Sequence, residues 1–216
     1  MSATALLAAI VTCCLSASSI AAENKSPVAT QTAVFAGGCF WCVEAALEKL
    51  EGVSEVVSGY TGGHIERPSY EQVSAGNTGH YEAVEVVYDP QRVTYEQLLK
   101  TFWNNIDPYD DTGQFCDKGD QYRAAIFFSG AEQQKAAEAS KHELEMSGAL
   151  VQPIVTQILP AQRFWPAEDY HQDYYKKNPL RYRYYRTVCG RDRRLNEVWS
   201  EVDLEAILTD KEKATK

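Results

Sequence analysis

A chain of 216 residues with 44% hydrophobic and 11% aromatic side chains can bury a real core as one domain of ordinary size, and its formal charge of −9 excludes nucleic acid as a general partner, because phosphate recognition needs an electropositive face. Six cysteines are too few for a disulfide-stapled miniprotein of this length, so they raise the question of redox chemistry or metal binding instead.

Residues 1–22 carry no charged side chain, hold the apolar run from Ala5 to Leu15, and end in Ser18-Ser19-Ile20-Ala21-Ala22. That is the pattern of a secretory signal peptide: the apolar run is short for a bilayer span, and Ser19-x-Ala21 or the adjacent Ala22 suits a signal peptidase. The expectation is an exported protein, periplasmic or extracellular, with no stable membrane insertion once the signal is removed; without a signal at 1–22 it would be cytoplasmic. Cys13 and Cys14 would leave with the signal, and Cys39, Cys42, Cys116 and Cys189 would remain. Residues 23–31 read as a linker, 32–208 as one domain, and 209–216, Lys-rich and apolar-poor, as a disordered tail.

Gln31 to Ala36 predicts a first strand. Past Gly37-Gly38, Val43, Ala46, Leu47 and Leu50 recur at helical spacing until Gly52. Val53 to Ser58 predicts a second strand entering a glycine-rich loop, Gly59 to Gly63, and residues 65–78 form a long loop of the kind that binds or caps something. Tyr81 to Tyr88 alternates as a strand; Thr94 then caps a helix bearing Leu98, Leu99, Phe102 and Trp103. Residues 104–121 make a second long loop with five aspartates. Their spacing is not that of a calcium loop, since Lys118 stands where a terminal Glu is needed. Ala124 to Phe128 is a strand, Ala131 to Met146 a helix, and Ile154 to Leu159 a strand. The order βαββαβ followed by αβ predicts an α+β fold, a two-layer sandwich with helices on one side of a mixed sheet and a ferredoxin-like core. Arg181, Arg183, Arg186, Arg191, Arg193 and Arg194, interleaved with Tyr182, Tyr184 and Tyr185, read as a solvated basic surface whose stems pack on tyrosine rings.

The reactive point is Gly37-Gly38-Cys39-Phe40-Trp41-Cys42. It sets the Cys39 thiol between a glycine turn and a helix start, where unpaired N–H groups and the positive end of the dipole favour thiolate, and the glycines leave a substrate room to approach. The alternative is a buried, unreactive cysteine.

This stretch, with Gly59-Tyr60-Thr61-Gly62-Gly63, Pro68-x-Tyr70, Gly79-His80-Tyr81-Glu82, Asp117-x-Gly119-x-Gln121-Tyr122-Arg123 and Ala167-Glu168-Asp169-Tyr170-His171-Gln172, resembles the peptide methionine sulfoxide reductase A family in order and rough spacing over about residues 33–180. The resemblance implies that Cys39 attacks the sulfoxide sulfur and becomes a sulfenic acid. It implies that Glu82 is the acid beside the departing oxygen, that Tyr70 and Tyr122 bind that oxygen, and that Asp117 organises the pocket's hydrogen bonds. Phe40 and Trp41 match the wall that takes the substrate methyl group, and His80 and His171 match no main catalytic role. Read from the strand alone, Glu82 would as readily face solvent. The resemblance further implies methionine S-sulfoxide, protein-bound or free, as substrate, a thioredoxin-like reductant, no organic cofactor and no metal; a monomer is expected. The chain departs from the family where some members carry a recycling cysteine, reading Asn178-Pro179-Leu180-Arg181-Tyr182-Arg183 instead. The thiol that resolves the sulfenic acid is expected to be Cys189, in a C-terminal segment able to fold back over the pocket, with Cys116 and Cys42 as alternatives. Two rival readings rest on cysteine spacing: a thioredoxin-like thiol–disulfide oxidoreductase using Cys39-x-x-Cys42, and a four-cysteine zinc site from Cys39, Cys42, Cys116 and Cys189.

Overall fold

A computed structural model describes residues 29–208. The expected signal peptide, most of the linker and the tail lie outside these residues. Strand β1 (Gln31–Gly37) leads through the glycine turn to helix α1 (Phe40–Leu47), and β2 (Val53–Thr61) runs through the predicted glycine loop as far as Thr61. It can do so because Gly59 has no side chain: a Cβ there would stand 2.4 Å from the Phe164 ring and from the Trp165 carbonyl. The first long loop contains a short helix, α2 (Tyr70–Ser74), capped by Ser69, whose hydroxyl accepts from Gln72 N–H while the Gln72 side chain accepts from Ser69 N–H. Strand β3 (Tyr81–Tyr88) and helix α3 (Tyr95–Trp103), with Thr94 as its cap, fall where the sequence puts them.

The aspartate-rich loop is likewise structured, as a small hairpin of β4 (Gly113–Gln114) and β5 (Asp117–Lys118) followed by a 3₁₀ turn at Asp120–Tyr122. Strand β6 (Ala124–Phe128) and helix α4 (Ala131–Met146) match expectation. Strand β7 is shorter and later than predicted, Gln157–Pro160, because Val155 N–H is spent on the Pro108 carbonyl (2.9 Å) rather than on a neighbouring strand. A two-residue strand β8 (Trp165–Pro166) and helices α5 (Tyr174–Lys177), α6 (Pro179–Val188), α7 (Arg191–Trp199) and α8 (Leu204–Ile207) complete the described chain.

The sheet runs β7-β6-β1-β3-β2-β8. Within it β6-β1-β3-β2 is antiparallel and has the ferredoxin-like order, while β7 lies parallel to β6 across the α4 crossover, so the sheet is mixed. Alternation along the strands decides the faces. Ala33, Phe35, Val84, Val86 and Ile126 point to the side covered by α1, α3 and α4, where Phe102 and Trp103 are also fully buried. Ala36, Ala83, Ala125 and Phe127 form a smaller cluster on the other side, under Phe164 and Leu159. Trp103 completes its burial by donating Nε1–H to Ser140 Oγ (3.0 Å). None of the described helices is long and apolar enough to cross a membrane.

Candidate active site

Cys39 is the N-cap of α1, with φ −51° and ψ 116°, and so stands just outside the helix. The turn before it needs glycine: Gly38 has φ +78°, and a Cβ there would come 2.6 Å from Gln114 Cβ. Cys42 N–H donates to the Cys39 carbonyl (3.0 Å), so the two cysteines belong to one turn. Both cysteines are buried, Cys42 completely.

Burial opposes the ionisation that the helix-start position of Cys39 favours. Burial pushes the Cys39 thiol well above its ordinary value, the hydrogen bond it gives to Cys42 adds to this, and the Glu82 and Asp117 carboxyls oppose a negative sulfur there. Cys42 is lowered to about 6, first because it accepts the Cys39 hydrogen bond, and further through the Arg191 and Arg186 charges and a hydrogen bond from the Tyr182 hydroxyl. The two thiols share a proton.

Glu82 does not face solvent. It shares its side of β3 with Val84, Val86 and Tyr88, is 2% exposed, and its Oε2 accepts the backbone N–H of Phe40 (3.1 Å), the first amide after Cys39. Desolvation pushes its carboxyl up to about 8 despite that bond, so it holds a proton at neutral pH. Tyr70 opens α2 and Tyr122 ends the 3₁₀ turn, and the two hydroxyls interact with each other beside Glu82 and Cys39. Burial raises the Tyr70 phenol to about 12 and Tyr122 higher, so both keep their O–H as donors. Asp117 lies in the same group; burial raises it, and it accepts a hydrogen bond from the Tyr185 hydroxyl of α6. The fold thus brings together Cys39, Glu82, Tyr70, Tyr122 and Asp117 from five separate segments.

Phe40 and Trp41 stand beside them. The Trp41 indole donates to His171 Nδ1 (3.1 Å), which fixes the imidazole as the neutral Nε2–H form, and burial lowers His171 in agreement. Trp41 also stacks on Tyr174 at 3.8 Å and meets Tyr185 edge-on at 5.8 Å. The remaining motif residues are struts. Glu168 accepts from the Tyr60 hydroxyl and from Tyr70 N–H, each at 2.9 Å, and Gln172 pairs with both backbone groups of Ser58 at 2.9 Å. His80 bridges Gly63 N–H (3.1 Å) and the Ile65 carbonyl (2.7 Å), a structural role as expected.

Helices α5 and α6 roof the site. Helix α5 is held to α1 by the buried Glu44, which accepts Asp173 N–H (2.9 Å), and by Glu48, which accepts from Tyr175 Oη (2.5 Å) and pairs with Lys176 (2.8 Å). Tyr182, Tyr185 and Arg186 turn inward from α6, and Arg191 at the start of α7 is 1% exposed, so the arginine–tyrosine run is not simply the solvated surface its composition predicts. Their i, i+3, i+4 spacing is the signal that marks one face of a helix. Cys189, the C-cap of α6, is bonded to Cys116 (Cα–Cα 4.9 Å), and Cys39 and Cys42 are the free thiols among the described residues. The four-cysteine zinc set is accordingly not assembled.

A deeply buried thiol pair, a protonated carboxyl and two phenol donors around one point, on a ferredoxin-like sheet, define a cysteine-based oxidoreductase of the kind that handles an oxygen on sulfur. The profile of the peptide methionine sulfoxide reductase family matches residues 31–203. The chain belongs to this family. It is 52% identical over 169 residues to peptide methionine sulfoxide reductase MsrA of Bacillus subtilis, covering 78% of this chain and 96% of that one. It is 53% identical over 169 residues to MsrA/MsrB of Vibrio cholerae, but there it spans 45% of the longer protein against 78% of its own length. Among solved structures, methionine sulfoxide reductase A of Corynebacterium diphtheriae superposes with a TM-score of 0.63 at 35% identity, covering 72% of this chain and 78% of that chain. Reduced Mxr1 of Saccharomyces cerevisiae gives 0.66 at 31%, covering 72% and 89%. The thioredoxin-like rival reading is thereby set aside.

Proposed function

We propose that this chain reduces the S epimer of methionine sulfoxide, free or in oxidised polypeptides, to methionine at the expense of thiols. The observation that carries this reading is Glu82: a carboxyl that stays protonated at neutral pH, bonded to the first amide after the nucleophilic cysteine. Cys39, after passing its proton to Cys42, attacks the sulfoxide sulfur. The Tyr70 and Tyr122 hydroxyls hold the sulfoxide oxygen while Glu82 supplies its proton, methionine leaves, and the oxygen remains on Cys39 as a sulfenic acid. Phe40 and Trp41 wall the methyl group, and Asp117 orders the donors. A second thiol then returns the Glu82 carboxylate to its acid form with its own proton and attacks the sulfenic sulfur: an S–S bond forms, the S–O bond breaks, and the oxygen leaves as water with that proton. Separated S and R epimers supplied with dithiothreitol test the assignment; turnover of neither ends it. Because the acid must be protonated, the first step should slow about tenfold per pH unit above about 8.

In this form of the protein Cys189 and Cys116 are bonded to each other, and Cys42 is the other free thiol among the described residues, in the same turn as Cys39. We assign resolution to Cys42, with Cys189 and then Cys116 as the alternatives, since a reductant that opens their bond frees either. Cys42→Ser should release one equivalent of methionine and stop at sulfenic acid with a thioredoxin-like donor, while Cys189→Ser keeps cycling. The reverse result passes the role to Cys189. The regenerating partner in this reading is an exported thioredoxin-like dithiol and the working unit a single copy; N-terminal sequencing of the protein purified from cells tests removal of residues 1–22.

A further inference from the structure

Helix α6 has two faces, and the site uses one of them. Tyr182, Tyr185 and Arg186 turn inward, while Leu180, Tyr184 and Val188, spaced i, i+4, i+8, stand on the outer face at 76%, 73% and 68% exposure. Single exposed apolar residues are ordinary, but three large ones aligned along one helix form a contiguous patch, and such a patch marks a contact surface. At the N-terminal end of α6 the stripe opens into a cavity of about 470 Å³ lined by Trp41, Tyr174, Leu180, Arg181, Tyr184 and Tyr185. Arg181 is the charged group of this lining, and it makes no hydrogen bond or ion pair with another described residue. Two of the lining residues belong to the active site as well. Trp41 follows Phe40 directly after the nucleophile, and Tyr185, whose ring meets Trp41 edge-on at 5.8 Å, donates its hydroxyl to Asp117. The cavity therefore adjoins the site through these two side chains.

We propose that this groove binds the polypeptide on one side of the methionine sulfoxide, taking a large apolar side chain from a neighbouring position against Tyr174, Leu180 and Tyr184 and a carboxylate at Arg181. This assignment rests on the reading of the chain as a methionine sulfoxide reductase and adds the class of polypeptide it takes. An extended chain advances roughly 3.3–3.6 Å per residue, so with the sulfoxide held between Cys39 and Trp41 the positions next to it pass beside the groove. The chemistry of the occupant follows from that of methionine. Methionine packs among apolar side chains, and its oxidation disrupts such packing, so a sulfoxide in a damaged polypeptide brings apolar neighbours with it. A carboxylate suits the rest of the surface, since Arg181 and Arg183 are both exposed and neither forms an ion pair among the described residues. Free methionine sulfoxide has no neighbouring residues and makes none of these contacts.

The test is steady-state turnover by the full chain with dithiothreitol, a reductant that needs no protein docking surface. The substrates are free methionine S-sulfoxide, a short blocked peptide that carries it between glycines, and two counterparts with Phe and Asp placed before it or after it. The wild type should turn over one of the Phe/Asp peptides with a kcat/KM about tenfold above that of the glycine peptide, mostly through KM. Leu180→Ser combined with Tyr184→Ser, both at exposed positions, should bring that peptide down to the glycine peptide's value and leave free methionine sulfoxide unchanged. Arg181→Glu should move the preference from Asp to Lys. Equal turnover of all three peptides by the wild type overturns the proposal, as does an equal loss on every substrate in the double variant. A double variant that keeps the peptide preference with dithiothreitol but cycles slowly with a thioredoxin-like dithiol gives the stripe to the reductant, and a wild-type dimer in sedimentation that the variant abolishes gives it to a second copy; either result overturns the proposal. Absence of turnover on free methionine sulfoxide removes the reductase reading itself, whereas normal turnover of it beside a flat peptide preference removes the groove alone.

Discussion

Cys39→Ser should reduce sulfoxide turnover to the uncatalysed background with any reductant, thiol or protein. An alkoxide is far harder to form than a thiolate near neutral pH and attacks sulfur poorly. The fold should survive. The side chain is 6% exposed and makes no capping bond to α1, so replacing S–H by O–H should change stability by about 1 kcal/mol or less. Steady-state kinetics beside thermal melting check both halves, and substantial residual turnover in a well-folded variant removes Cys39 from the nucleophile's role.

Glu82→Gln should separate activity from stability in opposite directions. Glutamine can still accept Phe40 N–H, but it cannot deliver a proton, so sulfenic acid formation should slow by about 10² to 10⁴. The wild-type carboxyl is held at about 8 in the fold against an ordinary 4.5. The folded protein therefore binds a proton that the unfolded chain releases, and wild-type stability falls as pH rises from about 4.5 to about 8. The amide has no such dependence. At pH 7 the variant should be more stable than wild type by about 3 kcal/mol, and below about pH 4 the gain should vanish. Denaturant unfolding across pH reads this directly. A gain that is flat with pH would show that Glu82 does not titrate in this window.

Much of the fold was legible because its elements are long and periodic. Tyr81–Tyr88 and Ala131–Met146 were readable to the residue, and the order of elements led to the ferredoxin-like sheet. Helix α2 is not legible in the sequence, although Ser69 and Gln72 are the two ends of a capping box; five residues offer too little periodicity to outweigh Pro68 and Gly76. Glu82 shows how far alternation carries. Its phase matches Val84, Val86 and Tyr88, which places it on the buried side, yet a lone Glu beside apolar residues reads as solvent-facing until the covering helix is known. The roof over the site was hidden because the polarity of Arg181–Arg194 conceals which few side chains turn inward. The Cys116–Cys189 pairing was beyond sequence arithmetic, since four cysteines allow three connectivities and a one-turn spacing draws the eye to Cys39 and Cys42.

The bond between Cys116 and Cys189, 73 positions apart, also changes the topology of the polypeptide. It closes a covalent ring that contains β5, the 3₁₀ turn, β6, α4, β7, β8, α5 and α6. A protease cut within that ring, for instance near Val151, which is 86% exposed, severs the backbone without dividing the molecule. The two pieces migrate together on a denaturing gel until the bond is reduced. Reduction then opens the ring within three residues of Arg191, which donates to the Gly37 carbonyl, and of Asp117, which accepts from Tyr185 of α6. The covalent continuity of the nicked chain and the mechanical closure of its interior are thus governed by the same pair of electrons.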